Sequence, residues 1–342
     1  MKSTLETQLS VVAQGNNHFK SNGYLHVPGA NRGIFGGTLI AKSLLSAART
    51  LPVNVQTGTS DFKQHSIHNT FVLGGDSSID LQFRVERIRD GRNFVTREVK
   101  AYQNGAVIFI SIISFKNVGN PQGSMSSLGP QLKYQPMLDL DGIAEVDECI
   151  SVQDIDFDAR IRKSFESDPL EVRFPREYFD DVDNVDDVED GSLKNKRDKK
   201  HRNSYKMRAL LFRPSLAVYL RKMYYWIRVK PRIQNHCEFN QIGVSYLSDA
   251  FFLLCVMPLS DRKLYSSLFS VSMDHSIYFN MDLDHESDYR CDEWMVFVVD
   301  SPKSSNGLSL VTGQIYRSDG KLIAYIVQEG LVSIKDGILS KL

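Results

Sequence analysis

The chain has no long apolar run, no closely spaced cysteines and no excess of charge, and each shortage removes a class of protein. Its longest apolar stretch, Ala250–Leu259, is about half of what a bilayer-spanning helix requires. The N-terminus, MKSTLETQLS, lacks the apolar core of a secretory signal peptide. The four cysteines, Cys149, Cys237, Cys255 and Cys291, stand far apart with no C-x-x-C pair. Neither a zinc pattern nor a disulfide framework is therefore expected, and Cys255, inside an apolar run, reads as a small buried hydrophobe. These absences predict a soluble protein of a reducing compartment. Lysine plus arginine equals aspartate plus glutamate at 41 each, which gives no electrostatic reason to expect nucleic acid as a partner.

Several catalytic motifs are missing as well. No G-x-S-x-G elbow occurs, so a serine nucleophile of the α/β-hydrolase kind is not expected. P-loop and Rossmann fingerprints are absent; Gly36-Gly37 is followed by no lysine at P-loop spacing. The eight histidines form no H-E-x-x-H or other ligand spacing, so no metal and no cofactor are expected.

What is present is a pattern that occurs twice. The length of 342 residues, 42% hydrophobic and 24% charged, suits two globular domains or one large one. Gly36–Leu51 places Leu39, Ile40, Leu44, Leu45, Ala48 and Leu51 at helical spacing, and Pro52 closes it. Leu81, Phe83 and Val85 then alternate with polar neighbours, as in a half-buried strand. Asp90-Gly91 marks a turn, Phe94–Gln103 reads as a strand, Asn104-Gly105 as a tight hairpin turn, and Ala106–Phe115 as the returning strand.

The same order returns later. Val244–Leu259 reads as a second apolar helix ending near Pro258, and Leu268–Phe279 corresponds to the segment starting at His65. Met295–Val299, Leu308–Arg317 and Leu322–Ile334 read as strands, the last two joined through Ser318-Asp319-Gly320. The period is too long for a solenoid unit and indicates a duplicated domain. The expected division is an N-terminal copy over 1–118, a linker over 119–165 and a C-terminal copy over 166–342. The second copy opens with the strand-like Leu170–Phe174 and resumes at Tyr224–Val229. It carries a charged insertion at about 180–204, acidic over Asp180–Asp190 and basic over Lys194–Arg202. Because its halves neutralise one another, the insertion reads as a solvated surface segment rather than a nucleic-acid contact. The chain ends in Ser340-Lys341-Leu342, the address read by the peroxisomal import receptor, which predicts the peroxisomal matrix and that receptor as a partner.

Four polar residues stand in apolar company. Asp249 precedes an eight-residue apolar run, where burial of a carboxylate is costly without partners; a capping or solvent-facing aspartate near a helix start is the other reading. Gln328 follows Leu322–Val327 and either points inward or makes ordinary strand-end hydrogen bonds. Ser272 and His275 flank Met273-Asp274. An isolated serine is usually structural, and a histidine beside an aspartate invites a general-base role without establishing one.

The segments IFGGTLIAKSLLSAARTLP, HSIHNTFVLGGDSSIDLQFRVERIRDGRNFVTREVKAYQNG, YLSDAFFLL, FSVSMDHSIYF and IVQEG resemble the acyl-CoA thioesterase II family, most of all its fungal and animal peroxisomal members. The resemblance runs from about Asn31 to Leu331 and spans both copies. It implies an α+β double hotdog, two helices each wrapped by an antiparallel sheet, and hydrolysis of fatty acyl-CoA to free acid and CoA. It also implies a catalytic trio of Asp249, Ser272 and Gln328. Bacterial members generally carry threonine where this chain has Ser272, a change that keeps the hydroxyl. His275 takes a structural role on this resemblance. Arg84, Arg87, Arg89, Arg92 and Arg97 could meet CoA phosphates, but charge on a strand pair is the plainer reading. Two other functions stay open: a hotdog enoyl-CoA hydratase or dehydratase, and a non-catalytic acyl-CoA-binding protein. Homo-oligomers are plausible by analogy only.

Overall fold

A computed structural model of the chain describes residues 5–28, 33–55, 57–119, 136–155, 157, 159–166, 168–178, 217–262, 264–282 and 288–334. The charged insertion at about 180–204 and the terminal Ser340-Lys341-Leu342 lie outside the described residues.

The first half opens with α1 (Leu5–Leu9), β1 (Val11–Gly15) and β2 (His18–Ser21). Then come α2 (Gly36–Ala48), β3 (Phe62–Phe71), β4 (Gln82–Asp90), β5 (Phe94–Gln103) and β6 (Ala106–Asn117). The second half comprises β7 (Cys149–Ser151), α3 (Ala159–Glu166), β8 (Leu170–Pro175), β9 (Lys222–Val229), α4 (His236–Leu247) and the short α5 (Val256–Leu259). It closes with β10 (Ser267–Ser272), β11 (Asp274–Phe279), β12 (Met295–Ser305), β13 (Leu308–Arg317) and β14 (Leu322–Ile334).

One antiparallel sheet of 14 strands unites the two halves. Inside the edge strands β1 on one side and β7-β8 on the other, the first half runs toward the seam as β2-β4-β5-β6-β3 and the second as β9-β12-β13-β14-β11. Each list is the strand before the long helix, then the later strands, with the segment that follows the helix at the seam, namely β3 in the first half and β11, which continues β10, in the second. The duplication read from the sequence is thus repeated in the topology. The seam pairs β3 with β11, from Asp274 opposite Thr70 to Tyr278 opposite Ser66. Asn104 and Gly105 have φ of 50° and 80°, as the β5–β6 hairpin requires, and Asn306-Gly307 (53° and 79°) joins β12 to β13 in the same way.

Helix α2 packs against α4 and against β5 and β6, so it is buried on nearly every side, its polar Thr38, Lys42, Ser43 and Ser46 included. Its buried Lys42 is satisfied by the carbonyl oxygens of Ser10 (3.0 Å) and Asn22 (3.1 Å), which tie the N-terminal strands to the helix. The arginines considered for phosphate contact lie elsewhere than the cleft. Arg97 is fully buried, and it and Arg87 both donate to the Thr50 carbonyl beyond the C-terminal end of α2, where cations offset the helix dipole.

The second long helix departs from expectation. It covers His236–Leu247, begins at Asn235, whose side chain accepts the Glu238 N–H, and stops before Asp249. The apolar run that suggested Val244–Leu259 belongs instead to a loop, one 3₁₀ turn at Leu253–Cys255 and α5. Phe251, with φ of +61°, lies in the left-handed region that bulky side chains rarely adopt and breaks the helical path there. Burial of nearly every side chain in the run, with Leu254 alone of its apolar residues half-buried, explains its composition better than helical periodicity does.

Candidate active site

Asp249 sits just past the C-terminal end of α4, in a loop pinned by the Tyr225 hydroxyl, which donates to the Ala250 carbonyl (2.7 Å). Its carboxylate keeps one edge on a cleft and is otherwise enclosed by protein. It neither faces solvent nor caps a helix of its own segment. Oδ2 accepts the Gly37 N–H at 3.1 Å, in the first turn of α2, where unpaired N–H groups and the positive end of the dipole favour an anion. The glycine pair makes this approach possible. A Cβ on Gly36 would lie 2.5 Å from Asp249 Oδ2, and one on Gly37 would lie 2.2 Å from the Tyr246 carbonyl oxygen.

Gln328 projects inward from the middle of β14 and is fully buried. Its Nε2 donates to Asp249 Oδ1 at 3.3 Å and to Ser272 Oγ at 2.5 Å. All three residues implied by the resemblance therefore meet at one amide. His275 joins from the other side, with Nδ1 3.0 Å from Gln328 Oε1 and Nε2 2.9 Å from Ser248 Oγ.

That Ser272 and His275 both reach Gln328 needs explanation. Residues three apart on a regular strand face opposite ways. Here the strand is interrupted at Met273 between β10 and β11, and Asp274 Oδ1 takes the Glu329 N–H (2.8 Å) in place of a backbone acceptor. The irregularity shifts the phase of the strand and turns both side chains inward, a use to which β-bulges beside active sites are commonly put.

Burial pushes Asp249 from the ordinary carboxylate value of 3.8 up to about 7, and the bonds from Gln328 and Gly37 only partly oppose it. A carboxylate with that value can take a proton from water near neutrality and return it. Burial acts on His275 in the opposite sense, down to about 4, so the imidazole is neutral at physiological pH.

The cleft that Asp249 and Ser272 share has a volume of about 990 Å³ and is walled by Phe35, Leu39, Phe71, Phe252, Leu253 and Val271. Its outer rim is exposed and apolar: Leu73, Leu268 and Phe269 each keep more than half of their surface accessible. Such a groove accepts an elongated apolar ligand beside a few convergent polar groups.

A family model described as "Acyl-CoA thioesterase" matches residues 206–331, and one described as "Acyl-CoA thioesterase N-terminal domain" matches 26–116. The peroxisomal acyl-coenzyme A thioester hydrolase 1 of Saccharomyces cerevisiae is 26% identical over 96% of this chain and 94% of its own length. The chain belongs to the acyl-CoA thioesterase II family. An acyl-CoA thioesterase II from Mycobacterium marinum superposes with a TM-score of 0.65 at 24% identity, over 97% of this chain and 99% of that one. A hot dog-fold protein of unknown function from Alicyclobacillus acidocaldarius does so with 0.63 at 16%, over 97% and 98%. The fold of this thioesterase family member is the double hotdog.

Sequence reasoning on this family member left out Gly37 as a donor, Ser248 behind His275 and the apolar walls of the cleft. Gly36-Gly37 at a helix start was the available signal, since a glycine pair there has a use only where something must approach the backbone closely.

Proposed function

We propose that the chain hydrolyses medium- and long-chain fatty acyl-CoA to free acid and CoA, with Asp249 as general base. The observation that carries this reading is a carboxylate raised to about 7 that shares one amide with a serine hydroxyl at the polar end of an apolar cleft. The acyl chain lies along the cleft and brings the thioester carbonyl to Asp249. Ser272, oriented by the Gln328 amide, holds a water, whose proton passes to Asp249 as its oxygen bonds to the carbonyl carbon. The C–S bond then breaks, and the thiolate, with a thiol pKa near that of cysteine at about 8.5, recovers the proton. The first-turn N–H of α2 at Gly36, which lines the cleft, is the donor assigned to the developing oxyanion. No covalent acyl-enzyme is needed.

The buried, neutral His275, with both ring nitrogens occupied, counts against the enoyl-CoA hydratase reading, which needs a histidine open to the acyl C2–C3 bond. The proposed compartment is the peroxisome, on the Ser340-Lys341-Leu342 ending and the name of the yeast relative. A fluorescent fusion that stays diffuse with that tripeptide free would count against it. The activity is tested by thiol release from medium- and long-chain acyl-CoA by the purified protein beside Asp249→Ala. Steady release that a folded Asp249→Ala lacks is the expected result. Release unchanged in the variant refutes the mechanism, and no release by the wild type refutes the activity.

A further inference from the structure

Gln328 has two unlike ends, an NH2 that donates and a carbonyl oxygen that accepts. Only one orientation serves the site. A half-turn of the amide would set its oxygen against the Asp249 carboxylate and withdraw the donors from Asp249 and Ser272. The structure therefore needs something behind Gln328 that distinguishes the two orientations, and the group in that place is His275. Its ring is fully buried, set edge-on to Phe252 with ring centroids 5.9 Å apart. Its backbone carbonyl accepts from the Asn69 side chain across the seam between the two copies (2.7 Å).

We propose that His275 is a positioning residue of the hydrolytic site: carrying its hydrogen on Nδ1, it donates to Gln328 Oε1 and locks the amide with its NH2 toward Asp249 and Ser272. The proposal rests on the hydrolytic reading given above.

A count of hydrogens carries it. Ser248 Oγ has one hydrogen and stands 2.9 Å both from the Ser245 carbonyl oxygen and from His275 Nε2. A neutral imidazole also has one N–H, and burial keeps this ring neutral. If Ser248 gives its hydrogen to Ser245, Nε2 must carry the ring hydrogen and Nδ1 becomes an acceptor. The Gln328 NH2 would then turn toward the histidine and its oxygen toward Asp249. If Ser248 gives its hydrogen to Nε2, the Ser245 carbonyl gives up the hydroxyl, and every contact from there to the site has one donor and one acceptor: Ser248 to Nε2, Nδ1 to Oε1, and the amide NH2 to Asp249 and Ser272. With Asp249 ionised, the first arrangement sets the amide oxygen against a carboxylate charge, whereas the second leaves only the neutral Ser248 hydroxyl oxygen beside the Ser245 carbonyl, and the second is therefore the less costly. The interrupted strand at Met273 brings Ser272 and His275 to opposite ends of the same amide, and the lock depends on both.

The test reads the ring directly. Long-range proton–nitrogen correlation NMR on the full chain with ¹⁵N-labelled histidine, His275 assigned by its contacts to the Phe252 ring, is expected to show the Nδ1–H form at about pH 8, where Asp249 is ionised. The Nε2–H form would overturn the proposal. This reading requires no substrate, so it stands apart from the CoA-release assay, whose failure in the wild type would sink the hydrolytic reading instead. Kinetics supply the second arm. His275→Phe should lower kcat by about tenfold or more with KM little changed in the wild-type background. In a Gln328→Ala background it should cost less than about twofold, because a residue that acts through Gln328 has nothing left to position. An equal loss in both backgrounds would make His275 a merely structural residue. Should His275→Phe fail to fold, the tautomer measurement on the wild type decides alone.

Discussion

Asp249→Asn replaces one carboxylate oxygen with an amide nitrogen of nearly the same size and removes a charge from an enclosed site. The wild-type group titrates at about 7 in the fold, against 3.8 for an ordinary aspartate. Each unit of that difference corresponds to about 1.4 kcal/mol, so the whole shift amounts to about 4 kcal/mol. The edge of the carboxylate open to the cleft makes this figure a ceiling. The folded value lies above the unfolded one. The wild-type group's contribution is therefore fully present below about pH 4, declines as pH rises and is gone above about pH 7. Relative to wild type, the variant should gain about 1.4 kcal/mol per pH unit across that window and nothing beyond it.

A constant offset accompanies this slope. The asparagine oxygen can still accept from Gly37, but its NH2 would face the NH2 of Gln328, a mismatch of about 1–3 kcal/mol. The net gain at about pH 8 is then about 1–3 kcal/mol, and the offset leaves the slope untouched. Urea unfolding of both proteins at several pH values between about 5 and 9 separates the two, since the difference curve should rise by about 3 kcal/mol from pH 5 to 7 and then run flat. A difference independent of pH would refute the view that Asp249 is a charge held against its solvation. The same variant should lose at least about a hundredfold in CoA release, and a variant that hydrolyses acyl-CoA normally would refute its assignment as base.

Other consequences can be checked independently. The kcat/KM for acyl-CoA should fall about tenfold per pH unit below about 7 and level above it; a limb near pH 4 would mean that Asp249 is not the titrating base. Gly37→Ala should lower stability by about 1–3 kcal/mol in thermal unfolding, because the new Cβ meets backbone at 2.2 Å from the Tyr246 oxygen. Gly36→Ala should spare stability more than activity, since the nearest atom to its Cβ is the Asp249 carboxylate oxygen; equal damage to both would count against that reading. Lys42 is lowered by burial from 10.5 to about 7, so the unfolded chain binds the extra proton between those values. Wild-type stability should rise relative to Lys42→Met from pH 7 to about 10, and denaturant unfolding that shows no such rise would place the ammonium in contact with solvent.

The parts of this protein that were legible in the sequence are those fixed by local periodicity. Alternation gave β4, helical spacing gave α2, and Asn104-Gly105 announced a hairpin whose φ values require such residues. Their recurrence was enough to show a duplicated domain. Periodicity failed at Phe251–Leu259, where burial of all but Leu254 removes the polar face that distinguishes one element from another. The site itself depends on information that no short window holds. Asp249 is enclosed and finds its backbone donor only against Gly37, 212 residues away, and a carboxylate at a helix N-terminus cannot be told from one at a helix C-terminus until the partner helix is in place. Alternation even misleads at β10 and β11, where it would put Ser272 and His275 on opposite faces. Asp274 undoes that alternation by lending its side chain to the ladder, so the residue whose pairing with His275 suggested catalysis works through the backbone instead. What makes a serine, a glutamine and a histidine into one unit is thus a single interruption of pairing. An insertion or deletion there should therefore cost more activity than loss of the serine hydroxyl alone, because it would turn one end of the Gln328 amide away from its partner.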